Sequence, residues 1–149
     1  MKGAAAALLV AAAASSGGAA DLPTASGGTF SISEFLAGGP GVLVFWNSWL
    51  PRWEEFAGLI PEVEAAARKR SWPAVVVVFQ DQSTDWAGSV PQGKGDFPVV
   101  IDRRGELVRR FKVTRAPAVL LVERDGSVRA RSGPDPAEVR QMLEGMANR

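Results

Sequence analysis

Two unbroken apolar runs, Val42–Trp46 and Ala74–Phe79, stand apart from their surroundings because no polar residue interrupts them. Runs of this length and β-branched content predict strands buried on both faces of a sheet. Between them Trp53, Phe56, Ile60, Val63 and Ala67 recur at steps of three and four, which predicts an amphipathic helix from about Leu50 to Lys69 with one inward stripe. Pro51 fits its first turn, where a missing N–H loses no helical partner. Arg68-Lys69-Arg70 suit its negative end, and Pro61 is expected to kink it.

The remaining pattern is shorter-ranged. Phe30 and Ile32 alternate with hydroxyl residues as in a short edge strand, and Ser33 can cap a turn carrying Phe35 and Leu36 before Gly38-Gly39-Pro40-Gly41 breaks the chain. Asp81 to Asp96 is rich in polar residues, Gly and Pro, with at most a short helix around Thr84 to Gly88. After Gly105, a charged helical turn runs from Glu106 to Lys112. Pro117 suits the start of a buried strand, Asp125-Gly126 a hairpin turn and Ser127 to Arg131 an edge strand. Pro136 to Met146 reads as an amphipathic helix capped by Asp135, with Val139, Met142, Leu143 and Met146 inward. This order predicts an α/β fold in which a central mixed β-sheet is flanked by helices on both faces.

Composition changes the picture in two ways. The 149 residues are 46% hydrophobic and 22% charged, enough for one folded domain with a real core. Lys2, the apolar run Ala4–Ala14 and the small residues Ser15 to Ala20 predict a signal peptide over residues 1–20 and a single domain over residues 21–149, secreted or periplasmic. The apolar run is too short to span a bilayer, so no stable membrane span is expected after cleavage. Without Lys2, 16 basic residues face 16 acidic ones, which gives a nucleic-acid or membrane-surface role no global electrostatic support. The second change is chemical: cysteine, histidine and tyrosine are all absent, which removes thiolate chemistry, disulfides and the usual acid–base and metal ligands. No cofactor and no metal are expected.

The stretch Phe45-Trp46-Asn47-Ser48-Trp49-Leu50-Pro51-Arg52-Trp53 resembles the strand-to-helix junction of the thioredoxin-like thiol:disulfide oxidoreductases, which reads Phe-Trp-Ala-Ser-Trp-Cys-Pro-x-Cys. Phe97-Pro98-Val99-Val100-Ile101-Asp102 and Val113 through Pro117 to Val122 are similar to later elements of the extracytoplasmic, redoxin branch of that superfamily. The resemblance covers about residues 27–148 and implies a thioredoxin-like fold, a strand at Phe97–Asp102 and a cis Pro117 facing the junction. It also places Leu50 and Trp53 where the family has its two cysteines and Val44 where it often has a polar proton-transfer group. Gly58 holds the position of the family's helix-kinking proline, so the register of the bend is expected to differ, and Lys112 replaces a glycine.

Leucine and tryptophan can neither attack nor resolve a disulfide. The expectation is a redox-inactive thioredoxin-like domain that binds an extracytoplasmic protein or extended peptide non-covalently at the former active-site groove, formed by Trp49, Leu50, Pro51, Trp53, Ala116 and Pro117. Two alternatives stay open: a non-catalytic subunit of a redox system whose cysteines come from a partner chain, and a purely structural domain. Trp53 lies on the helix stripe and can equally be core. Leu50 differs, because the resemblance makes its position solvent-facing and an exposed leucine forgoes roughly 1.5–3 kcal/mol of burial. Asp81-Gln82-Ser83-Thr84-Asp85 begins like a calcium loop, but Trp86 stands at the turn glycine and Gln92 at the final carboxylate, so a solvated loop is the plainer reading. Arg103, Arg104, Arg109, Arg110, Lys112 and Arg115 form a basic run that is either a solvated face or a contact for an anionic partner.

Overall fold

A computed structural model of the chain describes residues 21–47, 53–79 and 98–147, with only the backbone at residues 53 and 147. The apolar runs form the centre of a five-stranded sheet. Strand β1 (Leu22–Pro23) pairs antiparallel with β2 (Thr29–Phe30), helix α1 (Ile32–Phe35) follows, and β3 (Gly41–Trp46) enters the main sheet. Helices α2 (Trp53–Ala57) and α3 (Ile60–Lys69) lead to β4 (Ala74–Phe79), then come β5 (Val99–Asp102) and α4 (Glu106–Arg110). Strands β6 (Ala118–Val122) and β7 (Val128–Arg131) form a hairpin, and α5 (Pro136–Ala147) ends the fold. The spatial order is β5-β4-β3-β6-β7. Because β3 pairs parallel with β4 and antiparallel with β6, the sheet is mixed, as its sequence order predicts.

The two-residue period of the strands sorts side chains onto two faces. Leu43 and Phe45 of β3, Val75, Val77 and Phe79 of β4, and Leu120 and Val122 of β6 build one core layer with Ile32, Leu107 and Phe111. Val42, Val44, Trp46, Val76, Val78, Val119 and Leu121 build the other, under Phe56, Ile60 and Val63 of the first helical pair and Val139 and Met146 of α5. Helices therefore cover both faces. The inward positions named for the last helix hold: Val139 and Met146 are buried, and Met142 and Leu143 pack half-buried against the same layer.

Several local expectations are corrected. The long helix does not kink at Pro61 but divides at Gly58–Leu59 into two helices, and Pro61 takes a first-turn position of the second. The reason is positional: Pro61 has no N–H for the carbonyl of Ala57, so the ladder breaks four residues upstream and proline becomes harmless. Ser31, not Ser33, caps the short helix, its Oγ accepting the Glu34 N–H at 3.5 Å, and Ile32 is helical and buried instead of lying on a strand. The small strand at Phe30 does not join the main sheet. Its partner segment covers that sheet's edge, where Ala25 N–H donates to the Val99 carbonyl at 2.8 Å. The charged turn ends at Arg110, with Phe111 as its C-terminal cap. The expected short helix at Thr84–Gly88 lies outside the described residues.

Gly41 is more than a chain break. A Cβ there would stand 2.3 Å from Cε2 of Phe35, whose ring is tilted against Phe30 with centroids 5.4 Å apart, so only glycine lets this aromatic pair lie over the start of β3. In the hairpin, a register shift between Leu121 and Val122 places Ala130 opposite Leu121 and Val128 opposite Val122, on opposite faces although two residues apart. The remaining alternate residue, Arg131, can then reach across to the end of α4.

Candidate binding site

Three parallel strands end together. The last residues of β3 and β4 are joined by Asn47, whose side chain has no accessible surface: its Nδ2 donates to the Phe79 carbonyl and its Oδ1 accepts the Phe79 N–H at 3.2 Å. Phe45 and Phe79 meet edge-to-face beneath this clasp, with centroids 6.2 Å apart. At the end of β5, buried Asp102 holds the start of α4, Oδ1 accepting the Glu106 N–H at 2.7 Å and Oδ2 the Leu107 N–H at 2.9 Å. The clasp fastens the ends of β3 and β4 to each other, and the cap fastens the end of β5 to α4.

The proline loop comes to the same end from β6. Phe45 pairs with Ala118, so the next positions along the two strands are Trp46 and Pro117. The Ala116–Pro117 peptide bond is cis, as the family resemblance implied; Pro117 is buried and Ala116 half-buried against the first core layer. Among the described residues, the backbone groups of Arg115 and Ala116 have no hydrogen-bond partner. Ser132 ties the start of β6, just past this loop, to the last turn before α5: its N–H donates to the Val119 carbonyl at 2.9 Å and its Oγ accepts the Val119 N–H at 3.1 Å. Beside it, Glu138 accepts the Gly133 N–H at 2.7 Å and lies 3.5 Å from Arg115. A Cβ on Gly133 would sit 2.7 Å from Glu138 Oε2, so the glycine makes room for this ion pair at the mouth of a cavity of about 130 Å³ that Val113, Thr114, Ala118 and Leu120 help to line.

Of the six residues expected to form the groove, Ala116 and Pro117 lie at the sheet end, just before β6. Trp49, Leu50 and Pro51 lie outside the described residues. Trp53 opens α2 in the backbone, and its side chain lies outside them too. The residues that sequence reading missed are Asn47, Glu138 and Gly133. A polar residue closing an unbroken apolar run was a usable signal for Asn47; nothing local marks the other two, whose roles arise from contacts with residues 5 to 23 positions away.

The sequence model of the AhpC/TSA family matches residues 18–131. The chain belongs to the AhpC/TSA family. Comparison with curated proteins gives no match. Solved structures with the same fold include a secreted Mycobacterium tuberculosis disulfide oxidoreductase homologous to E. coli DsbE, at 23% identity and a TM-score of 0.68 over 87% of this chain and 96% of that one. StoA from Bacillus subtilis is similar at 23% identity and a TM-score of 0.64 over 84% and 93%. The exposed lipoprotein thioredoxin Etrx1 from Streptococcus pneumoniae is similar at 18% identity and 0.61 over 85% and 98%. These likenesses establish the thioredoxin-like fold.

What sets this AhpC/TSA-family chain apart is that it holds no cysteine, so it has no thiolate to attack a disulfide and none to resolve one. Val44 is fully buried in the second core layer, so no proton-transfer group stands at that position either. What the described part of the site can offer a ligand is backbone: N–H and C=O groups at Arg115 and Ala116 that have no partner among the described residues, on the loop that runs into β6.

Proposed function

We propose that this chain is a redoxin-type thioredoxin-like domain, working outside the cytoplasm, that has no thiol–disulfide exchange of its own and holds an extended peptide or protein segment non-covalently at the former active-site groove. The observation that supports it is that the backbone of Arg115 and Ala116, just before β6, has no hydrogen-bond partner among the described residues, in a chain without a cysteine. An extended ligand laid along that loop satisfies its own backbone as an added strand does, and this recognition needs no thiol. Trp49, Leu50 and Trp53 supply apolar contact beside it in this reading. The address rests on the predicted signal peptide and on the secreted and exposed proteins among the structural neighbours.

The test pairs a panel of extended synthetic peptides with residue-resolved amide exchange. Binding should slow exchange at Arg115 and Ala116, and Ala116→Arg, which crowds the loop face from a half-buried position, should abolish it while circular dichroism and thermal unfolding show the fold retained. If no peptide slows these amides, or the variant binds the same peptides equally well, the groove is not a working surface.

A further inference from the structure

Charge is distributed very unevenly in this chain. Between Asp102 and Arg131 there are nine basic and four acidic residues, whereas the rest of the chain from Asp21 onward carries seven basic and twelve acidic ones. Among the described residues four arginines find carboxylates, two of them inside this stretch: Arg68 pairs with Glu64, Arg140 with Glu62, Arg115 with Glu138 and Arg129 with Glu123. Among the described residues, Arg103, Arg104, Arg109, Arg110, Lys112 and Arg124 are exposed and have no ion pair. They form one continuous face. Arg109 Nη1 donates to the Arg104 carbonyl at 2.5 Å, and Arg110 Nη2 comes within 3.9 Å of where a Cβ on Gly126 would stand, in the turn that holds Arg124. Arg131 adds its charge from β7 by donating to the carbonyls of Phe111 and Lys112 at 2.9 and 3.0 Å.

The nearby carboxylates do not neutralise this face. Asp102 is buried and committed to the first N–H groups of α4, Asp125 is committed to Ser127, and Glu123 is taken by Arg129. Among the described residues of this stretch, Glu106, half-buried in the first turn of α4, is the remaining acid. The helix dipole accounts for Arg109 and Arg110, which sit in the last turn, but it disfavours Arg103 and Arg104, which precede the positive end. Concentrated like charge without internal pairs is a structural liability, so its use lies outside the chain.

We infer that this face, running from the β5–α4 turn along α4 to the β6–β7 turn, is an adsorption surface for an anionic phospholipid bilayer. An anionic leaflet attracts lysine and arginine alike near its surface, and a cluster of this size suits its potential. Nucleic acid fits less well. The only aromatic residue between Asp102 and Arg131 is Phe111, buried beneath Arg110, so bases have no stacking platform; α4, at five residues, is too short to fill a groove.

The experiment is co-sedimentation of the full chain with vesicles containing about 30% phosphatidylglycerol and with pure phosphatidylcholine vesicles, taking the ratio of the two partition coefficients so that charge-independent association cancels. The native ratio should be well above tenfold at about 0.05 M salt and approach one at about 0.5 M. Each of Arg103→Gln, Arg104→Gln, Arg109→Gln and Arg110→Gln should lower it roughly five-fold, and the four together should bring it to near one. The same four positions changed to Lys should keep the native ratio, and Arg68→Gln with Lys69→Gln should leave it unmoved. A native ratio near one at low salt, an equal loss in the Arg68/Lys69 variant, or complete displacement from vesicles by duplex DNA at equal phosphate would overturn the assignment.

Discussion

Replacing Asn47 with alanine tests whether the clasp at the sheet end carries the weight assigned to it. The substitution removes the donor to the Phe79 carbonyl and the acceptor of the Phe79 N–H, both inside a site where Asn47 has no accessible surface. Leaving a buried backbone group unsatisfied costs about 1–3 kcal/mol, and partial rescue by water at the end of the strand brings the pair to about 2–4 kcal/mol. At roughly 4 °C per kcal/mol for a domain of this size, Tm should fall by about 8–16 °C. Urea denaturation should show a lower midpoint with an unchanged slope. Asn47→Asp sharpens the test, because a carboxylate keeps the acceptor but sets a second oxygen against the Phe79 carbonyl. Ionisation is then disfavoured in the folded state, and the folded pKa rises above the unfolded value near 4. The linkage follows: the aspartate variant keeps its stability below about pH 4, where the protonated carboxyl donates to that carbonyl, and loses it as pH rises through the raised folded pKa. An alanine variant within about 0.5 kcal/mol of the native protein, or an aspartate variant whose deficit does not grow with pH, would refute the reasoning.

Other consequences are simpler to state. Gly41→Ala should force Phe35 away from the start of β3 and lower stability by about 1–3 kcal/mol in thermal unfolding, with Phe35→Ala in the same chain removing the clash. Asp102→Ala should leave the Glu106 and Leu107 N–H groups without their caps and lower stability by about 1–3 kcal/mol, and amide exchange should show the loss first at those two positions. The Ser127 hydroxyl, then the Ser127 N–H, hold the Asp125 carboxyl below its ordinary value of 3.8. Its contribution to the turn is therefore present above about that pH and lost as pH falls through the depressed folded value. Asp125→Asn should remove that acid-side slope, as an NMR titration of the turn would show.

Much of the fold was legible because its signals are local and repeat. An unbroken apolar strand can only be buried on both faces, so Val42–Trp46 and Val75–Phe79 had to be central. The helical stripe from Phe56 to Ala67 is buried at every described position, yet its division at Gly58 depends on which carbonyl Pro61 deprives of a partner, not on the stripe. The choice between Ser31 and Ser33 as cap turned on whether Ile32 faces a strand partner or the core, and neighbouring hydroxyls carry no sign of that. The bulge that separates Val128 from Ala130 has no signature in Ser127 to Arg131 at all. The site was legible to a lesser degree: Ala116–Pro117 came through the family resemblance, whereas the Asn47 clasp and the Arg115–Glu138 pair over Gly133 are products of tertiary contact.

Losing the reactive cysteines leaves the scaffold intact for an identifiable physical reason. The stability of this sheet resides in two apolar layers, and a polar group at the position of Val44 would have to be desolvated between Trp46 and Val42, whereas valine there adds to the layer. Abandoning proton transfer thus strengthens the core and argues nothing about use. Use is argued by features that core stability does not require. One is the loop at Arg115–Ala116 that leads into β6, whose backbone has no partner among the described residues. The other is a face where, among the described residues, six cations have no ion pair, whereas Arg68, Arg115, Arg129 and Arg140 each find a carboxylate. A domain kept for structure alone gains from neither. The two proposed uses are compatible, since Lys112 is followed within three residues by Arg115: a chain adsorbed on a bilayer through α4 would hold the Arg115–Ala116 loop close to that surface.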